Sequence, residues 1–283
     1  MATDLARRVG GYFGPPPRGR PRLVATAEVL QLILTRNAHE AAVLERNLIR
    51  RWRPRYNRAL PDEAAGFWHL QRLTTADCRF PTFQRYRPDG DAPVPTSLRD
   101  AVFGPYVSYA AAEAILGYMT DRFRLRTCSV HGLTRCIRFD MGACTPICDT
   151  PTLEEEHARL YREATRFLQQ PDPSAADDVR ALMGQAAEPG DFAAAARLRD
   201  RAQLLERSLQ PQASDVADGG DCDVIIDGIV MVVRSGRVED VHRSGTAEAD
   251  RAGLSRKQGM EPTEGQWQLA RRNARHAELL ELA

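Results

Sequence analysis

The sequence predicts an α+β protein assembled from several modules. Apolar residues recur at helical spacing in 38–51 and 192–209, while strand-like runs occupy 29–34 and 223–233. Four of the six cysteines fall within residues 128–148. Charge is divided along the chain: residues 1–60 carry twelve Arg against four acids, 61–150 balance, and 151–283 hold an acidic excess of seven. A chain of 283 residues can bury two or three cores. A basic end joined to an acidic end suggests one part that faces a polyanion and another that faces protein. No apolar run approaches the length of a transmembrane helix and no signal peptide follows Met1. The expected location is the cytoplasm, where clustered thiols mean metal more often than disulfides.

In order, the chain begins with a short amphipathic turn, Arg7 to Phe13, ended by Pro15-Pro16-Pro17. Val29-Leu30-Gln31-Leu32-Ile33-Leu34 reads as a buried strand. Asn37 then caps a helix over about 38–51, with Glu40 three residues on completing a capping-box pattern. The apolar stripe of this helix comprises Ala41, Ala42, Leu44, Leu48 and Ile49, and Glu45 is read as projecting within that stripe. A carboxylate there needs compensation, since burying it alone costs several kcal/mol. Either an Arg salt bridge or a bound divalent ion would supply it. Arg50, Arg51, Arg53 and Arg55 follow, interleaved with Trp52 and Tyr56, a pattern suited to tracking a nucleic-acid backbone.

Cys128, Cys136, Cys144 and Cys148 are spaced C-x7-C-x7-C-x3-C among arginines. Four thiolates from one short segment can hold zinc or an iron–sulfur cluster, and this spacing alone leaves the metal open. Cys78 and Cys222 stand apart and need no special role. Residues 175–210 read as two helices, Asp178 to Glu188 and Phe192 to Leu209, broken at Pro189-Gly190. The second presents Phe192, Ala195, Ala196, Leu198 and Ala202 to its partner helix, with Arg197, Arg199 and Arg201 outward. Asp223 to Val238 reads as a β-meander closed at Ser235-Gly236, with Asp223 and Asp227 as edge and turn residues. A terminal helix spans roughly Thr263 to Leu282.

Several of these segments, in the same order, resemble the UvrC excinuclease family. Asn37 to Asn57, NAHEAAVLERNLIRRWRPRYN, is similar to the second half of that family's GIY-YIG nuclease domain, and DLARRVGGYF to the segment after its YIG strand. Phe103-Gly104-Pro105-Tyr106 and Phe123 to Cys128 resemble its FGPY and LRTC landmarks. The resemblance implies four segments. Residues 1–70 would form a partial GIY-YIG α/β nuclease domain, and 71–150 an α/β linker with a Cys-rich module binding a [4Fe-4S] cluster (or Zn2+). Residues 175–210 would form a UVR antiparallel helical hairpin, and 211–283 the first strands of an RNase H-like domain with an unassigned helix.

The same resemblance assigns roles. Arg8 would stabilise transition-state charge, Glu45 would hold one Mg2+ or Mn2+, Asn57 would keep the site in register, and Tyr12 would be accessory. The partner implied for Phe192, Ala196 and Arg199 is the helicase UvrB, loaded on damaged double-stranded DNA. The departures are Pro189, where an aliphatic residue is usual, and the GIY and YIG strands with their general-base tyrosine, which have no counterpart here. Loss of a positioned base costs about 10²–10⁴ in rate. Two expectations therefore stand side by side: metal-dependent strand incision, or a UvrC-like adaptor that binds helicase and DNA without cutting.

Overall fold

The computed structural model describes residues 7, 10–11, 31–57, 66–73, 82–88, 101–127, 137–145, 153–216, 219–243 and 261–281. Among these, seven helices and two antiparallel sheets alternate as α1 (Ala38–Trp52), β1 (Trp68–Leu73), β2 (Thr82–Tyr86), β3 (Val102–Tyr106), α2 (Tyr109–Arg122), α3 (Ile137–Asp140), α4 (Glu154–Gln169), α5 (Ala175–Ala187), α6 (Phe192–Ser208), β4 (Cys222–Ile226), β5 (Ile229–Arg234), β6 (Arg237–Arg243) and α7 (Glu264–Glu281). They form two compact units, one from residues 1–65 with 211–283 and one from residues 66–210. The segment order of the sequence is therefore not the packing order.

In the first unit, strands β4-β5-β6 form an antiparallel meander. Its two turns, Asp227-Gly228 and Ser235-Gly236, have positive φ at both central residues (46° and 75°, then 49° and 77°). That is the turn whose twist matches paired strands, and Gly at its second position removes the Cβ penalty. Alternate residues Ile229, Met231 and Val233 of β5 point into the core with Val224, Val238 and Val241. Both α1 and α7 cover this sheet, α1 contributing Leu44 beside β6 and α7 contributing Leu269, Ala270 and Ala274 over β4 and β5. Each fully buried Leu or Val stabilises by about 1.5–3 kcal/mol relative to exposure. At the start of α7, Thr263 and Gln266 exchange backbone-to-side-chain bonds of 3.3 and 3.0 Å, a reciprocal capping box.

The expected strand at 29–34 is corrected where it is described. Residues 31–35 form no strand. The backbone of Leu34 is held by the side-chain amide of Asn273, donating from its N–H at 2.8 Å and accepting at 3.1 Å. One amide from α7 thus satisfies both backbone groups of Leu34 in place of a ladder partner.

The second unit is a three-stranded sheet, order β2-β1-β3, covered by α2. Phe103-Gly104-Pro105-Tyr106 lies on β3 with a cis Gly104–Pro105 bond. Ser108 caps α2 through Ala111 N–H at 3.1 Å. On α4, His157, Tyr161, Ala164 and Leu168 make the buried stripe. Helices α5 and α6 pack against each other as a helical hairpin. Its base (Ala175, Ala176, Val179, Ala202 and Leu205) joins the core formed with α2, while Leu182 and Phe192 are exposed. Arg201, expected to face outward, instead packs on α2, where it pairs with Asp121 at 3.0 Å. It lies on the same face as Ala202 and Leu205, so its guanidinium reaches past the apolar stripe to a carboxylate.

Candidate functional site

The site residues with described geometry cluster on α1 and the turn after it. Asn37 caps the helix, its Oδ1 accepting from Glu40 N–H at 2.9 Å. The side chain of Glu40 does not return to Asn37. It accepts from Arg36 N–H (2.8 Å), the Arg36 guanidinium (2.9 Å) and Ala213 N–H (3.0 Å), and is fully buried. Asn47, on the same face, donates to the Ser214 carbonyl at 2.9 Å. The buried face of α1 is thus His39, Glu40, Val43, Leu44 and Asn47, two polar anchors around an apolar pair.

This corrects the placement of Glu45 within the buried stripe. Glu45 is exposed, on the side of α1 away from Leu44 and Asn47. The buried carboxylate is Glu40, which hydrophobicity alone assigns to the outside. The signal available in the sequence is the Arg36/Glu40 pair at i, i+4, which neutralises the buried charge.

Past Glu45 the helix becomes basic. Arg50 and Arg51 occupy the last turn, where cations complement the helix dipole. Arg53, at φ 43°, closes the helix by donating its N–H to Ile49 at 2.8 Å. Pro54 begins a turn closed by Asn57 N–H at 3.1 Å. Arg51, Trp52, Arg53, Arg55 and Asn57 are all exposed. Arg51 sits 5.7 Å from the Trp52 ring centroid and 3.7 Å from the Glu239 carboxylate, and Arg55 lies 6.0 Å from the Tyr56 ring. Arg50 is partly buried and acts electrostatically on Asp215, which also pairs with Arg237 at 3.2 Å. Burial outweighs both guanidiniums and raises the Asp215 carboxyl to about 6.

Arg8 and Tyr12 lie outside the described residues, as do Cys128, Cys136 and Cys148. Cys144 is buried, with its thiol 3.4 Å from the Thr145 carbonyl. Cys222 is a buried core thiol whose pKa is raised, chiefly by burial. On the hairpin, Phe192 is 74% exposed, Ala196 partly buried, and Arg199 exposed and paired with Asp200 at 2.8 Å.

No group of three or more His, Cys, Asp or Glu side chains converges among the described residues. Glu45 offers a single solvent-facing carboxylate. A lone carboxylate suits a hard divalent ion that keeps most of its waters.

A family model described as a UvrC-like GIY-YIG domain matches residues 1–58. The chain is 32% identical over 265 residues to UvrABC system protein C of Anaeromyxobacter dehalogenans, covering 84% of this chain and 35% of that protein. It is 30% identical over 251 residues to the protein of the same name from Syntrophus aciditrophicus (84% and 39%). For that of Halobacterium salinarum the identity is 29% over 270 residues (91% and 44%). No solved structure matches. The chain spans between about a third and under a half of the length of these relatives. From the ordered landmarks, the domain match and relatives aligned along most of its length, the chain belongs to the UvrC family.

Proposed function

We propose that this protein acts in nucleotide excision repair in the cytoplasm, associating with the helicase UvrB on damaged double-stranded DNA for metal-dependent strand incision. The observation that carries this reading is the exposure of Glu45. It stands on a helix whose opposite face is locked by Glu40 and Asn47, directly before an exposed run of arginines. A carboxylate on the exposed side of a helix that is anchored on its other side is placed to meet a divalent ion, Mg2+ or Mn2+, arriving with a nucleic-acid phosphate.

In this reading Arg51, Arg53 and Arg55 hold the DNA backbone, with Arg50 behind them. Asn57 orients the strand by hydrogen bonding, Arg8 stabilises the charge that develops on the attacked phosphate, and Tyr12 assists. The divalent ion, when bound at Glu45, neutralises that phosphate. Cys144 with Cys128, Cys136 and Cys148 holds a [4Fe-4S] cluster or Zn2+ in a structural role. The α5–α6 hairpin serves as the UVR module. Its exposed end, with Phe192 and Leu182, and the Ala196–Arg199 stretch of α6 meet a helical hairpin of UvrB. No helix among the described residues is long and apolar enough to cross a membrane.

The test is incision of a lesion-bearing duplex preloaded with UvrB. Glu45→Gln is expected to slow cleavage by about 10²-fold or more, the scale of losing a transition-state charge stabiliser. Cleavage by wild type that is unchanged in Glu45→Gln would remove Glu45 from the site. No cleavage by wild type, with helicase binding intact, would make the protein an adaptor.

A further inference from the structure

We propose that Trp52 is a base-stacking residue that captures an unpaired nucleobase of the strand held at Glu45. This rests on the DNA-facing reading of α1 and extends it from phosphate contact to base contact. Of the three tryptophans, Trp68 and Trp267 pack against the two cores, whereas Trp52 is 60% exposed at the end of α1. It lies seven residues from Glu45, two turns along the same helix face, at ~10 Å of axial rise. That distance corresponds to about three nucleotide steps of stacked DNA. A base on Trp52 and a phosphate at Glu45 would thus belong to one short stretch of one strand.

The surroundings specify the occupant. Arg51, Arg53 and Arg55 are exposed around Trp52, and the Arg51 guanidinium is 5.7 Å from its ring centroid. A polyanion with flat apolar faces matches this set, since the guanidiniums meet phosphates and the indole meets a base. In an intact duplex each base face is covered by its neighbours. A base displaced by a lesion or by strand separation has a free face, and Trp52 would select it. Glu239, 3.7 Å from Arg51, is the carboxylate that a phosphate must displace.

The experiment measures binding of the full-length protein to a labelled oligothymidylate and to a matched intact duplex, across a salt series. Trp52→Ala is expected to weaken single-strand binding by about 5- to 150-fold, the worth of one stacked base. Duplex binding should change by less than about twofold, and the salt slope should stay constant because no phosphate contact is lost. Trp52→Phe should recover most of the single-strand affinity, while Trp52→Leu, apolar without a π face, should not. Arg53→Ala gives the contrasting result, a slope lower by ~0.7 on single strands. Glu239→Gln should strengthen binding to both probes. Equal losses on both probes in Trp52→Ala, or no loss, with wild type binding normally, would overturn the stacking role and leave the DNA-facing reading intact. Wild type that binds neither probe would overturn both.

Discussion

Two buried titratable residues in the unit formed by residues 1–65 and 211–283 act on stability in opposite senses. His39 is 5% exposed, and burial lowers its pKa from 6.5 to about 4 despite the neighbouring Glu40 carboxylate. Unfolding allows it to take up a proton, so its contribution is complete above about 6.5 and is lost as the pH falls towards 4. Asp215 is the reverse case, with burial raising it from 3.8 to about 6. Its contribution is complete below 3.8 and is lost as the pH rises through about 6. Between about pH 4 and 6 the two slopes oppose each other. Relative to wild type, His39→Gln is expected to lose stability as the pH rises across that window, and Asp215→Asn to gain it. Each difference is at most about 3 kcal/mol, from roughly 1.4 kcal/mol per pKa unit. Urea unfolding at several pH values checks both signs. Neither residue stands out in the sequence, because the pairing of Asp215 with Arg237 and the burial of His39 both depend on the chain's distant return to α1.

At the scale of elements, the two hairpin turns share a backbone conformation but differ in surroundings. A methyl group added at Gly228 meets nothing within 4 Å. One added at Gly236 would overlap the Val216 carbonyl oxygen and press on Gly219, in a turn whose carbonyl also accepts from Val216 N–H and Gln266 Nε2. Gly228→Ala should therefore cost about 1 kcal/mol, the backbone penalty alone, and Gly236→Ala about 3 kcal/mol or more. A shift in the urea midpoint about three times larger for Gly236→Ala would bear this out. Similar shifts would mean that the β5–β6 turn has room to relax. The helices at 38–51, 178–188 and 192–209 and the β-meander were legible because capping residues and glycines mark their ends. The strand expected at 29–34 and the burial of Glu45 were misread for one reason: side-chain amides and carboxylates (Asn273, Glu40) occupy positions that hydrophobic patterning reserves for ladders and apolar groups. The basic turn from Arg50 to Arg55 was legible in composition, whereas the shared face of Glu45 and Trp52 needed the helix to be placed first.

At the scale of the molecule, the chain leaves its first unit, builds a second from residues 66–210, and then returns. The first unit cannot form its core without residues 211–281, since Leu44, Leu48 and Ile33 pack on β-strands and a helix from that stretch. A chain ended at Gln210 is expected to lose the ordered α1 and the DNA binding assigned to Arg51–Arg55. The unfolding transition of residues 66–210 and the hairpin's helicase binding should persist. Far-UV circular dichroism during urea unfolding, with DNA and helicase binding on the same sample, separates the two. Retention of DNA binding by the shortened chain would show that α1 folds without its covering sheet. Local pattern identified the meander as a unit but gave no sign of its partner, because that contact joins segments far apart in sequence.

The return of the chain to α1 also sets a timetable on the ribosome. The strands and helix that cover Leu44 are synthesised roughly 200 residues later, about 10–40 s at ordinary elongation rates. During that interval residues 66–210 can emerge and fold, while the apolar side of α1 waits in the open with its arginine-rich end beside it. A nascent helix of that kind is a target for chaperones and for ribosomal RNA, so synthesis, not the finished structure, is the stage at which this protein is most exposed to misassembly.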